Sequence, residues 1–377
     1  MKKLLVASTA LVAFAAVNTA QAADPIKISV GGYMNQFVGY TDQDEDGQED
    51  YAEVNINSET ELYFRGSTKL DNGLTVGVNI DRYSDRNDTG GDDVFLEVSS
   101  DSLGKLRIGQ TKGAAYALSH AAPSAGLGVN DGDIEDWISI PGATVQSNSY
   151  TNATGVNFNQ TMTANESNDG QKLVYWTPNL GGFQAGFSYG LDINSTAIEA
   201  PVNNGGGNTG ADTEWDAGVA YNGDFGGVSF GADVTYQKTM NGGTTGTTVQ
   251  DESGVRGGLS VGVAGFTIGG SYIDIDNQGN VKNVDASGWD LGVKYATGPY
   301  AVSVTYMSLK EEDGAGAGAQ DDTTKMWAVG GSYDLGAGVT LVGSVFGAEY
   351  DDASVTANNN TNDNEGFGVV TGLKVSF

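Results

Sequence analysis

The closing stretch "GFGVVTGLKVSF" (366–377) places Phe367, Val369, Leu373, Val375 and Phe377 on one face. Gly368, Gly372, Lys374 and Ser376 fall on the other. This is the period of two of a β-strand, whose successive side chains point to opposite sides. The alternation recurs upstream. Trp289, Leu291, Val293 and Tyr295 alternate with Asp290, Gly292 and Lys294, and Trp215, Ala217, Val219 and Tyr221 with Asp216 and Gly218. Phe183, Ala185, Phe187, Tyr189 and Leu191 alternate with Gln184, Gly186 and Ser188. Each strand has one greasy face and one face of small, polar or charged residues.

Two kinds of connection join these strands. Tight, Gly-rich turns such as Asp71-Asn72-Gly73, Val263-Ala264-Gly265 and Leu335-Gly336-Ala337-Gly338 alternate with long polar stretches. The long stretches lie near residues 41–53, 84–91, 111–170, 192–212, 239–250, 276–286, 311–322 and 351–364. Counting the segments gives about sixteen strands. The 57 glycines, about twice the ordinary share, show no G-X-Y period, which excludes collagen. Seventeen tyrosines and thirteen phenylalanines argue against disorder.

Aromatic residues crowd the strand ends: Tyr175, Trp215, Tyr221, Tyr236, Tyr272, Trp289, Tyr295, Tyr300, Tyr306, Trp327 and Tyr333. Such girdles sit at membrane interfaces. An apolar exterior, a polar interior, an even strand count and alternating loop lengths describe an all-β fold, a transmembrane antiparallel β-barrel. In lipid, only a helix or a closed barrel satisfies every backbone N–H and C=O, and the period here is not helical. No apolar run near 18 residues follows the N-terminal segment.

That segment, "MKKLLVASTALVAFAAVNTAQA" (1–22), carries Lys2 and Lys3, an apolar stretch from Leu4 to Val17, and the small-x-small site Ala20-Gln21-Ala22. It reads as a Sec signal peptide, with residues 23–377 as the barrel domain. Loss of the two lysines takes the formal charge from −30 to −32. A chain so acidic repels phosphate backbones, so no nucleic-acid partner is expected. With no cysteine, the fold holds without disulfides and thiol catalysis is excluded. With His120 as the one histidine, no conventional Ser-His-Asp triad or His-based metal site suggests itself. No carboxylate pair stands out as an acid/base couple, and no enzyme is expected.

At this point the chain resembles the general bacterial porins, especially those of α-proteobacteria. "VFLEVSSDSLGKLRIGQTKGAAY" (94–116) looks like the strand-turn-strand that leads into that family's constriction loop. "AVGGSYDLGAGVTLVG" (328–343) is similar to its penultimate hairpin, and "GLKVSF" (372–377) to its closing strand. Phe377, with apolar residues two and four places before it, resembles the C-terminal signature of outer-membrane barrels. The resemblance implies a sixteen-stranded barrel, usually a homotrimer, with the third long loop folded into the lumen. It also implies contact with outer-membrane lipid and lipopolysaccharide, and engagement of the barrel-assembly machinery through Phe377.

The third connection, about 111–170, is by far the longest, and a loop of that length is usually functional. The alternative is an extracellular lid. On it, "NDGDIEDW" (130–137) concentrates Asp131, Asp133, Glu135 and Asp136. By strand parity Arg65 and Arg107 point inward, opposite Leu62, Phe64, Leu106 and Ile108. In the family a basic wall facing an acidic loop sets up a transverse field at the constriction. The bland alternative pairs both arginines with inward Glu59, Glu61 or Glu97. Lys27, Arg256, Lys294 and Lys374 are further, scattered inward cations.

"TDQDEDGQEDYAEV" (41–54) fits the calcium-loop pattern, with Asp42, Asp44 and Asp46 as the triplet, Gly47 at the turn and Glu53 as the closing ligand. Both flanks alternate as strands, so this is no EF-hand. It is the first surface loop, either an acidic solvated loop or a structural Ca²⁺ clip. No cofactor is required. The expected function is passive diffusion of small hydrophilic solutes and ions across the outer membrane, with a mild cation preference. The rivals are a substrate-specific porin and a non-conducting adhesin or structural barrel.

Overall fold

The computed structural model describes residues 24–44, 51–84, 93–130, 133–139, 170–191, 213–240, 250–278, 282–312, 321–351 and 363–377. The segment read as a signal peptide, Asp46, Asp131 and residues 140–169 lie outside them.

Sixteen strands form one closed antiparallel barrel. In chain order they are β1 Ser29–Gln43, β2 Val54–Lys69, β3 Thr75–Tyr83, β4 Val94–Ser100, β5 Gly104–Gln110, β6 Gln171–Trp176, β7 Phe183–Leu191 and β8 Thr213–Asp224. They continue as β9 Val228–Met240, β10 Glu252–Val263, β11 Phe266–Asp276, β12 Ala286–Thr297, β13 Tyr300–Glu312, β14 Asp321–Gly336, β15 Val339–Asp351 and β16 Asn364–Ser376. Each strand pairs with its sequence neighbours, and β1 closes on β16 from Tyr33↔Ser376 to Gln43↔Gly366. Phe377 extends that seam, exchanging backbone hydrogen bonds with Gly32 at 2.9 and 3.0 Å. Closure leaves no sheet edge, the condition for a sheet to sit in lipid.

Tight turns gather at one rim because the short connections permit two-residue reversals. Between β10 and β11, Ala264 (φ 50°) and Gly265 (φ 86°) both take positive φ, the requirement of a type I′ hairpin turn. Outward positions carry the greasy face: Val304, Val329, Val345 and Val369 share one rung of β13–β16 and are all exposed. The girdle aromatics fall on this same outward parity and pair across strands, as Phe266 with Tyr295 (4.5 Å) and Tyr300 with Tyr333 (4.8 Å).

The inward face corrects one expectation. Along β11–β16 it is mixed rather than uniformly polar, with Ile273, Met307, Leu309, Met326, Phe346 and Val370 buried beside polar residues such as Asp290, Ser303 and Ser344. The apolar side chains join Leu127, Val129, Ile134, Trp137 and Ile138 of the segment after β5 in one hydrophobic cluster. The physical reason is that this wall is covered by protein, not water. Each large apolar side chain so buried stabilises by about 1.5–3 kcal/mol, which holds a segment with little regular structure of its own.

Candidate functional site

The segment after β5 begins with a short helix, α1 (Ala114–Leu118), and then runs along the inner wall as a belt. An irregular segment packed on protein must find partners for its backbone N–H groups. Inward side chains supply them in chain order. The N–H of Ala114 donates to Ser188 Oγ on β7, and that of Ala115 to Asp216 Oδ1 on β8 at 2.7 Å. His120 donates to Asp233 Oδ1 on β9 (2.6 Å) and Ala122 to Asp290 Oδ1 on β12 (3.2 Å). Ala125 donates to Ser303 Oγ on β13 (2.8 Å) and Leu127 to Ser344 Oγ on β15 (2.9 Å). The belt then reaches β1, where Ser139 N–H donates to Gln43 Oε1 (2.9 Å). At β2, Asn57 Nδ2 donates to the Asp136 carbonyl (2.9 Å).

A track of glycines on the wall lets the belt lie this close. A Cβ at Gly186 or Gly218 would press on α1, at Gly231 on the His120 ring, and at Gly258 on the His120 carbonyl. A Cβ at Gly330 would strike Gly126, and at Gly39 the Trp137 ring. These glycines stand on inward positions of β7, β8, β9, β10, β14 and β1, so the belt approaches each strand without a side chain between. α1 also buries Ala114 and Leu118 against Val174, Trp176 and Ala220.

From β2 to β5 the wall carries a different surface. Arg65, Lys105 and Arg107 keep 49%, 41% and 25% of their side chains exposed. Aromatic rings support them: the Arg65 guanidinium lies 3.8 Å from the Tyr63 ring centroid, and that of Arg107 4.2 Å from Phe95 and 5.2 Å from Trp176. Tyr33 continues the strip, 6.0 Å from Tyr63. Each cation also has a carboxylate. Arg65 makes a two-pronged pair with Asp81, its Nε donating to Oδ1 at 3.1 Å and its Nη2 bonding Oδ2. Arg107 Nε donates to Glu97 Oε2 at 2.9 Å, and Lys105 lies 3.8 Å from the same oxygen.

The residues singled out in the sequence are therefore placed unequally. Arg65 and Arg107 both face inward, Arg65 pairing with Asp81 rather than Glu59 or Glu61, and Arg107 with Glu97. Glu59 instead accepts from Tyr33 Oη (2.7 Å) and Asn35 Nδ2 (3.1 Å). On the belt, Asp136 is exposed beside β2, whereas Glu135 is buried. Asp133 Oδ2 accepts from Gly128 N–H at 3.2 Å, closing a local turn. Asp131 lies outside the described residues.

In the calcium-loop pattern, Asp42 is the penultimate residue of β1, on the outward face, and Asp44 N–H donates to the Glu365 carbonyl at 2.9 Å. The Glu53 carbonyl accepts from Thr41 N–H at 2.8 Å. Among the described residues no three His, Cys, Asp or Glu side chains converge as a metal site.

Sequence reasoning missed the belt's anchors Asp216, Asp233, Asp290, Ser303 and Ser344. Their signal was faint: Asp290 stands between the inward glycines Gly288 and Gly292, but Ser303 and Ser344 sit among larger inward residues such as Met307 and Phe346, with nothing in the strand pattern to single them out.

A family model described as Gram-negative porin matches residues 7–354. No curated protein sequence matches. Among solved structures, an anion-selective porin from Comamonas acidovorans aligns over 94% of this chain and 100% of its own, at 18% identity and a TM-score of 0.59. A porin structure refined at 1.8 Å resolution aligns over 93% and 100%, at 18% identity and a TM-score of 0.60. The trimer form of OmpT, an outer-membrane protein of Vibrio cholerae, aligns over 94% and 100%, at 12% identity and a TM-score of 0.58.

Proposed function

Because this chain belongs to the Gram-negative porin family, its sixteen-stranded barrel is an outer-membrane diffusion channel, and we propose that the belt 111–139 is the element that narrows its passage. The observation that carries this reading is the division of the lumen wall. The belt hydrogen-bonds its way from β7 to β2, and the exposed cations Arg65, Lys105 and Arg107 stand on the β2–β5 stretch that remains. Solutes then pass between that strip and the exposed Asp136 edge of the belt, filtered by size and by the field between the two.

A mild cation preference follows from the balance of charges. Asp81 offsets Arg65, and Glu97 offsets only one of Arg107 and Lys105, so these five side chains keep a single positive charge. The chain as a whole carries −30, and an acidic surface enriches cations at a pore mouth. The Comamonas porin is anion-selective, but at 18% identity the likeness extends to fold alone. The test is the reversal potential of purified protein in a planar bilayer under a KCl gradient. A cation-side potential is expected, and an anion-side potential would refute the preference. Asp81→Asn, which frees Arg65, should move the potential toward anions.

The shorter wall supports a homotrimer. β3 to β6 have 9, 7, 7 and 6 residues, where crossing a bilayer takes about 9–11. β3, β4 and β5 also present no outward aromatic ring, so the girdle is interrupted there. A wall too low and too bare for lipid is suited to a second copy. Lipid and lipopolysaccharide would meet the aromatic faces of β7–β14, and Phe377 at the β1–β16 seam would be read by the assembly machinery. Conduction needs no cofactor. Ca²⁺ on the 41–53 loop would serve only as a clip, and calorimetric titration should then show binding near 10⁻⁴–10⁻³ M; the absence of heat there would remove it.

A second reading adds a preferred solute. The Trp176–Arg107–Phe95 and Arg65–Tyr63–Tyr33 contacts form an aromatic and guanidinium strip, a surface on which flat, hydroxyl-bearing solutes stack and hydrogen-bond. Solute-induced current blockade, abolished by Tyr63→Ala, would favour it.

A further inference from the structure

Where the belt crosses from β8 to β10, the chain's one histidine is gripped at its backbone and at both ring nitrogens. Its N–H donates to Asp233 Oδ1 at 2.6 Å, and its ring Nδ1 lies 3.1 Å from that same oxygen. Ring Nε2 lies 2.9 Å from Asn222 Oδ1. Its carbonyl accepts from Arg256 Nη2, while Arg256 Nη1 donates to Asp233 Oδ2 at 2.9 Å. Asp233 and Arg256 are fully buried at their side chains, and that of His120 is 17% exposed. Both ring nitrogens thus face oxygen acceptors. Only the imidazolium donates at both; a neutral ring turns a lone pair toward one of them.

We propose that His120 is a positioning residue for the channel: when protonated it clasps the belt to β8, β9 and β10, and when it loses its proton the clasp loosens and the belt moves in the passage. This rests on the reading of the belt as the constriction. The charged groups that face the ring are Asp233 from β9 and Arg256 from β10; β8 presents the neutral Asn222, and Gly231 and Gly258 leave room for the ring and its carbonyl.

The hydrogen bond to Asp233 raises the His120 pKa above its ordinary value. Burial and the Arg256 charge oppose that rise, and the Asn222 bond adds to it. The sign of the linkage follows. With the folded value raised, the clasp is fully present below about 6.5, the unperturbed value, and is lost as pH climbs through the raised folded value. The belt is therefore steadiest in acid and loosest in alkali.

A chain with a single histidine allows a direct test on the intact protein. In detergent micelles, the lone imidazole is titrated by NMR. Hydrogen exchange of residues 112–127 is followed from about pH 6 to 9, corrected for the intrinsic pH dependence of exchange. Open-channel current is recorded over the same range. Wild-type imidazole should titrate above about 6.5. Belt protection should fall about tenfold or more across the window, the equivalent of one lost charge-assisted bond, and current flicker should rise with it. His120→Gln should be flat in both.

Wild-type protection that does not change with pH overturns the proposal, as does a His120→Gln protein that keeps the wild-type profile. Proton-linked protection with a pH-flat current would overturn the channel role and identify the constriction reading as the part that failed.

Discussion

At the level of single residues, the belt depends on atoms that are missing as much as on those present. At Gly258 a Cβ would meet the His120 carbonyl and an Asp233 oxygen at once, so Gly258→Val must displace the belt, the β10 wall or both. Overpacking of this kind costs about 1–3 kcal/mol. The barrel is expected to survive it, with unchanged heat-modifiable migration on a gel, while open-channel current becomes unsteady; an unchanged current would mean the belt does not line the passage. None of this was visible in a one-dimensional reading. Strand parity put Asp216 on the polar face of its strand, but did not tell what it meets. Asp216 receives the N–H of a residue 101 positions away, and only closure of the barrel sets that partner. Arg65 illustrates the same limit, because its inward direction was legible and its choice of Asp81 over Glu59 or Glu61 was not.

Among the elements, the strands were the most legible part of the molecule. Alternation marked sixteen segments because lipid demands apolar residues on one side and the lumen tolerates glycine and polar groups on the other. The rule weakened where both sides are covered. In β13, Val304 and Tyr306 face out while Met307 and Leu309 face in, and the latter pair are buried under the belt. A strand greasy on both faces gives no parity signal, so the apolar half of the lumen went unread. That half makes a prediction about the belt as an element. Trp137 is buried against Gly39 and the cluster containing Ile138 and Phe346. Trp137→Ala should cost about 3–5 kcal/mol, and the cost should fall on the belt rather than the barrel. Hydrogen exchange is therefore expected to quicken across 114–139 and to stay slow in β12–β16; uniform acceleration would show that belt and barrel unfold together.

For the whole molecule, the proposed seat of a second copy is the side of the barrel with the short strands β3–β6 and the girdle broken over β3–β5. Leu96 and Ile108, outward on β4 and β5, are 47% and 39% exposed in the single chain. Lysine at both positions should convert trimers to monomers on a native gel, whereas Leu291→Lys on β12 should leave trimers intact; the reverse pattern would move the contact face. The proposed path for ions runs between the belt and the β2–β5 strip. Since the chain has no cysteine, single reporters at Asp136→Cys and Arg65→Cys place a thiol on each side of that gap. The measurement is the open-channel current of each variant before and after a bulky, charged thiol reagent. Both currents are expected to drop sharply, with Leu291→Cys on the lipid face unaffected. Full labelling of Asp136→Cys and Arg65→Cys with the current unchanged would contradict the account, because ions would then be passing somewhere else.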